Sequence, residues 1–274
     1  MLLNGAELQA MLDDPDLVLL HVGHGRLAYD RRGHLPGAVF VDIEDLLDEE
    51  ADYPDRQIGR AELVAWCRSV GIDGDRPQRI VLYGEASGLF AARVFATLST
   101  LGLADRMSLL DGHLRRWVAE DRPMEVGGVQ AVPTDWVPGK VSTLEATYDR
   151  VAHGVDVEGW SLVDARLARN YHGQQLGRPE LLEAGHIPGA VSVPWQGLIG
   201  SIKDPSLRPV SELRAMFAEV DASRPVAAYC ATGMQSSVTF FVLRYLGYDA
   251  VWYDGSLVDW QRRGGSTTRT VKIP

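Results

Sequence analysis

Hydrophobic positions in this chain follow two rhythms. Short apolar runs, "DLVLLHV", "AVFV", "IVLY" and "MSLL" in the first half and "SLVDA", "AVSV", "VAAY" and "AVWY" in the second, alternate with longer segments of 3.6-residue period. A run that is apolar at successive positions is buried on both faces, which in an alternating chain means a parallel sheet covered by helices on both sides. The pattern therefore predicts an α/β protein. Ligands of such sheets sit outside the carboxyl ends of the strands, so that is where candidate chemistry belongs.

The same rhythm occurs twice. "GHLPGAVFV" at 33–41 returns as "GHIPGAVSV" at 185–193, "RIVLYG" at 79–84 matches "PVAAYC" at 225–230, and "LLDGHLRRW" at 109–117 matches "WYDGSLVDW" at 252–260. Three pairs in one order mark a duplicated domain. Between the halves, "DRPMEVGGVQAVPTDWVPGKV" is rich in Pro and Gly and lacks helical period, so it reads as an extended linker. The expected division is a first domain at 1–120, a linker at 121–141 and a second domain at 142–274.

Charge and cysteine content narrow the function. Among 274 residues the formal net charge is −10, which offers neither nucleic acid nor an anionic membrane a basic footprint, although a locally positive pocket for a small anion remains open. No apolar run approaches the roughly 20 residues of a membrane span, and the first residues lack a basic and then apolar signal pattern. The expected location is cytoplasmic. Only two cysteines occur, Cys67 and Cys230, too few for a disulfide framework or a four-cysteine zinc site. Cys67 lies in "AELVAWCRSVGI", an amphipathic helical pattern, and reads as a packed small hydrophobe.

Cys230 stands elsewhere, between the apolar run "PVAAY" and the helical pattern "VTFFVLRYLGY", in "YCATGMQSSV". A loop that leaves a strand and opens a helix turns backbone N–H groups and the positive end of the helix dipole toward an anion, which favours a reactive thiolate. Gly233 permits the tight turn, while Ala231, Thr232, Ser236 and Ser237 keep the cradle small and supply hydroxyl donors. The matching position of the first half is Gly84, so only one copy carries a thiol. A cysteine phosphatase places an arginine six residues after the cysteine, where this chain has Ser236; a thioredoxin-like dithiol needs a cysteine at Gly233; a cysteine hydrolase needs a histidine base, and the second half offers only His153, His172 and His186. Chemistry in which a thiolate attacks and carries sulfur remains, beside a non-catalytic module that only holds an anion.

The two "GH[IL]PGAV" boxes, the two "DGxxxxW" boxes, "LVDAR" at 162–166, "VPW" at 193–195 and the loop 230–235 resemble the two-domain sulfurtransferases of the rhodanese superfamily. The resemblance implies two tandem rhodanese-like domains, each a parallel sheet flanked by helices, the first catalytically silent and the second carrying sulfane sulfur as a persulfide on Cys230. It implies a small-molecule sulfur donor, a thiol, cyanide or thioredoxin-like acceptor, and no metal or organic cofactor. It places Ala231, Thr232, Gly233, Met234, Gln235 and Ser236 around the substrate, with Asp164 and Arg166 at the end of the neighbouring strand. It also allows His34 an interdomain role, whereas His186 reads as a structural hydrogen-bonder.

Donor choice depends on the loop side chains. Thiosulfate enzymes of the superfamily resemble "CRKGVT" and mercaptopyruvate enzymes "CGSGVT"; here the loop is "CATGMQ", neutral, with Thr232 in the serine position. This favours mercaptopyruvate, with thiosulfate as the alternative. Asn170 stands where the superfamily usually has an arginine for the substrate's anionic group, with Arg169 beside it as a substitute. Met234 and Gln235 replace the common Val-Thr, and His21 stands where the first domain often has aspartate.

Overall fold

A computed structural model describes residues 1–139 and 142–270. The last two residues of the expected linker, Lys140 and Val141, and the end of the second domain from Val271 lie outside the described residues. Contacts within the chain group it into two units. One comprises Met1–Leu47, Gln57–Ser142 and Ile199–Leu207; the other comprises Asp48–Arg56, Thr143–Leu198 and the chain from Arg208 on. Each half thus lends a short segment to the other unit.

The first unit is built on a five-stranded sheet. Its strands are β1 (Leu2–Leu3), β2 (Leu17–Gly23), β3 (Val39–Asp42), β4 (Arg79–Gly84) and β5 (Met107–Leu110), in the order β1-β5-β4-β2-β3, and every pairing is parallel. β2 and β4 form the centre, in register from Leu17 opposite Arg79 to Val22 opposite Gly84. Leu19, Leu20, Val22 and Ile80 to Tyr83 are buried there, which is why these runs carry no polar alternation. The helix Leu89–Ser99 leaves the end of β4 and is buried from Ala91 onward. β1 is too short for periodicity to reveal; two register pairs with β5 hold it at the sheet edge. Residues 121–139 belong with this unit, where Trp136 is buried against Gly74 and its carbonyl accepts from Arg68 Nε at 2.6 Å.

The second unit repeats the plan with four strands: β6 (Ser161–Asp164), β7 (Val191–Ser192), β8 (Val226–Tyr229) and β9 (Ala250–Trp252), ordered β7-β6-β8-β9 and again all parallel. Both sheets are flanked by helices, as the apolar runs predict. β8 is buried at all four positions, and the helix Ser236–Tyr245 that follows it is buried along most of its length. Short strands still position the site firmly, because strand and helix are both packed on every side.

The "GHxPGA" boxes do the same structural work in both units. The phenol oxygen of Tyr83 accepts from Leu35 N at 3.0 Å, and that of Tyr229 accepts from Ile187 N at 3.1 Å. Tyr29 donates to Ala38 O and Tyr171 to Ala190 O, both at 2.6 Å. His34 stacks on Tyr29 with ring centroids 3.9 Å apart, and His186 on Tyr171 at 3.7 Å. A buried phenol or imidazole without partners costs a few kcal/mol, so these bonds tie the box to the centre of the sheet.

Candidate active site

Cys230 follows the last residue of β8 and is 1 % exposed. Its backbone N–H donates to Ser256 Oγ at 3.1 Å, and that hydroxyl donates onward to Tyr253 O at 2.9 Å, with the Cys230 sulfur 4.0 Å from the same oxygen. Ser256 adopts φ 52°, a left-handed conformation for a non-glycine residue, at the start of the helix Ser256–Arg262. The carbonyls of Cys230 and Ala231 accept from the first N–H groups of that helix, Leu257 N at 3.2 Å and Val258 N at 3.1 Å. Gly233 O accepts from Trp252 Nε1 and Ser236 Oγ, Met234 O from Ser237 Oγ, and Gln235 O from Val238 N.

The loop carbonyls are therefore largely committed to the protein. Among the described residues no protein acceptor takes the N–H groups of Ala231 to Gln235. Gly233 at φ 89° makes the turn, a conformation that a side chain would strain. The hydroxyls behave otherwise than the sequence suggests. Thr232 donates to Asp55 Oδ2 at 2.5 Å, Ser236 to Gly233 O at 3.0 Å and Ser237 to Met234 O at 2.7 Å. All three hydrogens stabilise the loop and its surroundings, so the donors left for a bound anion are backbone amides. Met234 and Gln235 are half-buried, at the edge of the loop.

Asp164 and Arg166 form a buried pair beside the loop, at the end of β6, whose Asp164 is in register with Tyr229. Arg166 Nε lies 3.0 and 3.1 Å from the two Asp164 oxygens, and its Nη2 donates to Asp164 at 2.6 Å and to Gly185 O at 2.7 Å. Arg166 Nη1 is buried with no hydrogen-bond partner among the described residues. Burial opposes the guanidinium charge, but the Asp164 carboxylate outweighs it, with Tyr229 and Cys230 acting in the same sense, so its pKa lies above the ordinary arginine value. Removing one member of such a pair typically costs about 3–5 kcal/mol, because the other charge is left buried alone.

Two other expected site residues, Arg169 and His34, have surroundings of their own. Arg169 is exposed on the short helix Ala168–Tyr171 with no side-chain hydrogen bond among the described residues, while its neighbour Asn170 is buried against Gly177. His34 belongs to the first unit, where Nδ1 lies 2.9 Å from Leu35 O and Nε2 2.8 Å from Gly127 O. Both ring nitrogens are engaged, and the ring performs the structural task that His186 performs in the other unit. Ser256 and Asp55 went unread in the sequence. Ser256 could have been found from the "DGS" of the repeated box, whereas Asp55 lies far away in sequence with no motif around it.

The corresponding loop of the first unit differs in three ways. Gly84 replaces the thiol. His113 takes the place of Ser256 at the same φ of 52°, accepting from Gly84 N through Nδ1 at 3.4 Å. Its ring sits against Gly88, where a Cβ would fall 1.7 Å from Nε2. Gly23 stands where β6 leads to Arg166, and His21, in the place of Asp164, contacts Tyr83 OH at 3.0 Å and Glu85 Oε1 at 3.3 Å. The His113 ring stands against Gly88, a cavity of about 280 Å³ lies between Val22–His24 and Gly84–Phe90, and Gly23 leaves the place of Arg166 without a side chain.

Comparison with known proteins agrees with the duplicated plan. A family model described as a rhodanese-like domain matches residues 4–120 and again 147–263. The chain is 32 % identical to the sulfur carrier protein TtuD of Thermus thermophilus over 92 % of its own length and 90 % of the relative's. It is 28 % identical to 3-mercaptopyruvate sulfurtransferase of Escherichia coli, over 95 % of both chains. The crystal structure of the 3-mercaptopyruvate enzyme SseA from Escherichia coli superposes with a TM-score of 0.78 and 26 % identity, covering 93 % of this chain and 98 % of that one.

Proposed function

The chain belongs to the rhodanese family and is a sulfurtransferase; from that premise we propose that Cys230 carries the sulfur as a persulfide, taken from a small anionic donor, mercaptopyruvate ahead of thiosulfate. The observation that carries the reading is the loop 230–235, in which one buried thiol is followed by amides without protein acceptors.

The cycle follows from these groups. The Cys230 thiolate attacks the sulfur of mercaptopyruvate, a sulfur–sulfur bond forms and the carbon–sulfur bond breaks. The leaving enolate takes up the thiol proton at carbon and departs as pyruvate. With thiosulfate, the same attack on the outer sulfur releases sulfite. The terminal sulfur then bears negative charge, which the loop amides stabilise with no cation among the loop's own side chains. A thiol, cyanide or a thioredoxin-like protein attacks that sulfur, and Cys230 leaves as thiolate. Arg166, fixed by Asp164, supplies a positive charge beside the thiol, and Ser256 holds the Cys230 backbone in place. The first unit takes no part in sulfur transfer.

Preference for mercaptopyruvate is supported by the absence of a cation among the loop side chains, since a dianion would have only neutral amides to meet it. The test is turnover with cyanide as acceptor. Thiocyanate should form faster from mercaptopyruvate than from thiosulfate, and Cys230→Ser should form none from either. Equal rates, or a faster reaction with thiosulfate, would reverse the donor assignment.

A further inference from the structure

We infer that Asp55 selects the sulfur donor by excluding dianions from the loop, an inference that rests on Cys230 being the thiol that carries sulfur. Asp55 lies in the segment Asp48–Arg56, which groups with the second unit, and it is held at φ 64°. Its Oδ2 accepts from Thr232 Oγ1 at 2.5 Å, and the same oxygen lies 3.2 Å from Arg178 Nη2. Arg178 Nε is in turn 3.2 Å from Glu180 Oε2. Two carboxylates thus flank one guanidinium, and the charged atom set directly against the third residue of the loop is a carboxylate oxygen. Arg56 and Arg262 are turned over the Tyr53 ring, each 6.0 Å from its centroid.

Two physical effects follow. The Thr232 proton is committed to Asp55, so the hydroxyl cannot donate to an incoming anion. The carboxylate is also partly exposed, its side chain 21 % and that of its partner Arg178 39 % exposed, so an arriving donor meets this pair before desolvation is complete. Repulsion scales with the donor's charge. A monoanion such as mercaptopyruvate meets half the repulsion that thiosulfate meets. Asp55 is on this account a residue that determines specificity by rejection.

The experiment follows single-turnover loading of the full chain with mercaptopyruvate or thiosulfate, the added sulfur being located on Cys230 by mass. Asp55→Asn should raise the thiosulfate rate constant about tenfold or more and change the mercaptopyruvate rate constant by less than about threefold. In the unaltered protein, raising the salt concentration should narrow the gap between the two donors, because a partly exposed charge is screened. Thr232→Val, which removes the hydroxyl and keeps the carboxylate, should leave the donor ratio where it stands. Equal changes for both donors in Asp55→Asn, a donor ratio indifferent to salt, or a thiosulfate gain in Thr232→Val alone would overturn the inference. If the unaltered protein loads from neither donor, the persulfide reading itself fails, an outcome separable from any shift in the ratio.

Discussion

His113 and Ser256 occupy one position of the two repeats, both at φ 52°, and the difference between them separates the two loops. The serine hydroxyl accepts from Cys230 N and leaves the loop amides open, whereas the imidazole accepts from Gly84 N and fills the space beside Gly88. Burial lowers the pKa of His113 from 6.5 to about 4. The folded state therefore keeps this ring neutral over a range in which the unfolded chain binds a proton. Between pH 6.5 and 4 the unfolded state holds more protons, so stability rises with pH through that window and is lost as the pH falls. The group should account for a loss on the order of 3 kcal/mol across it, read by urea unfolding. His113→Asn should flatten the acid slope; an unchanged slope would show that the ring titrates normally.

At the scale of elements, the two strand-to-helix loops differ in the residue at their start and in the partner of its amide: Cys230 N donates to Ser256 Oγ and Gly84 N to His113 Nδ1. The first-unit loop, from Gly84 to the helix Leu89–Ser99, has the correct position, but Gly84 N is bonded to His113 and Gly23 stands in the place of Arg166. A Cβ at Gly84 would meet nothing closer than 3.5 Å, so a cysteine there fits sterically. Gly84→Cys, made in a Cys230→Ser background, should nevertheless take up no sulfur from mercaptopyruvate while His113 remains. Uptake by that variant would mean that the missing thiol alone silences the first unit. Most of this architecture was legible in the sequence, because strands buried on both faces read as unbroken apolar runs and a duplicated box reads as a repeat. Cys230 and the loop 230–235 were legible for the same reason, since a lone thiol between a strand pattern and a helix pattern stands where a parallel sheet receives its ligands. Hydrogen-bond direction was not. Composition cannot tell that the Thr232, Ser236 and Ser237 hydroxyls point to protein acceptors, that both ring nitrogens of His34 are engaged with carbonyls, or that Arg169 turns to solvent while Asn170 turns inward. Asp55 was hidden because its contact with Thr232 joins residues 177 positions apart.

Over the whole molecule, two copies of one plan share a chain, and only one of the two matching strand-to-helix loops begins with a cysteine. Cys67 offers no second site: it is buried in the first unit, and burial pushes its thiol up to about 12, leaving little thiolate at neutral pH. On the proposed cycle, a net charge of −10 means that the anionic donor is drawn to the loop by local amides rather than by the protein's overall field. The most direct measurement of this account is the intact mass of the protein after brief exposure to mercaptopyruvate, with peptide mapping of the product. The unaltered chain should gain the mass of one sulfur atom, on the peptide containing Cys230, and Cys230→Ser should gain none. Sulfur on Cys67, sulfur retained in Cys230→Ser, or no added mass at all would contradict it.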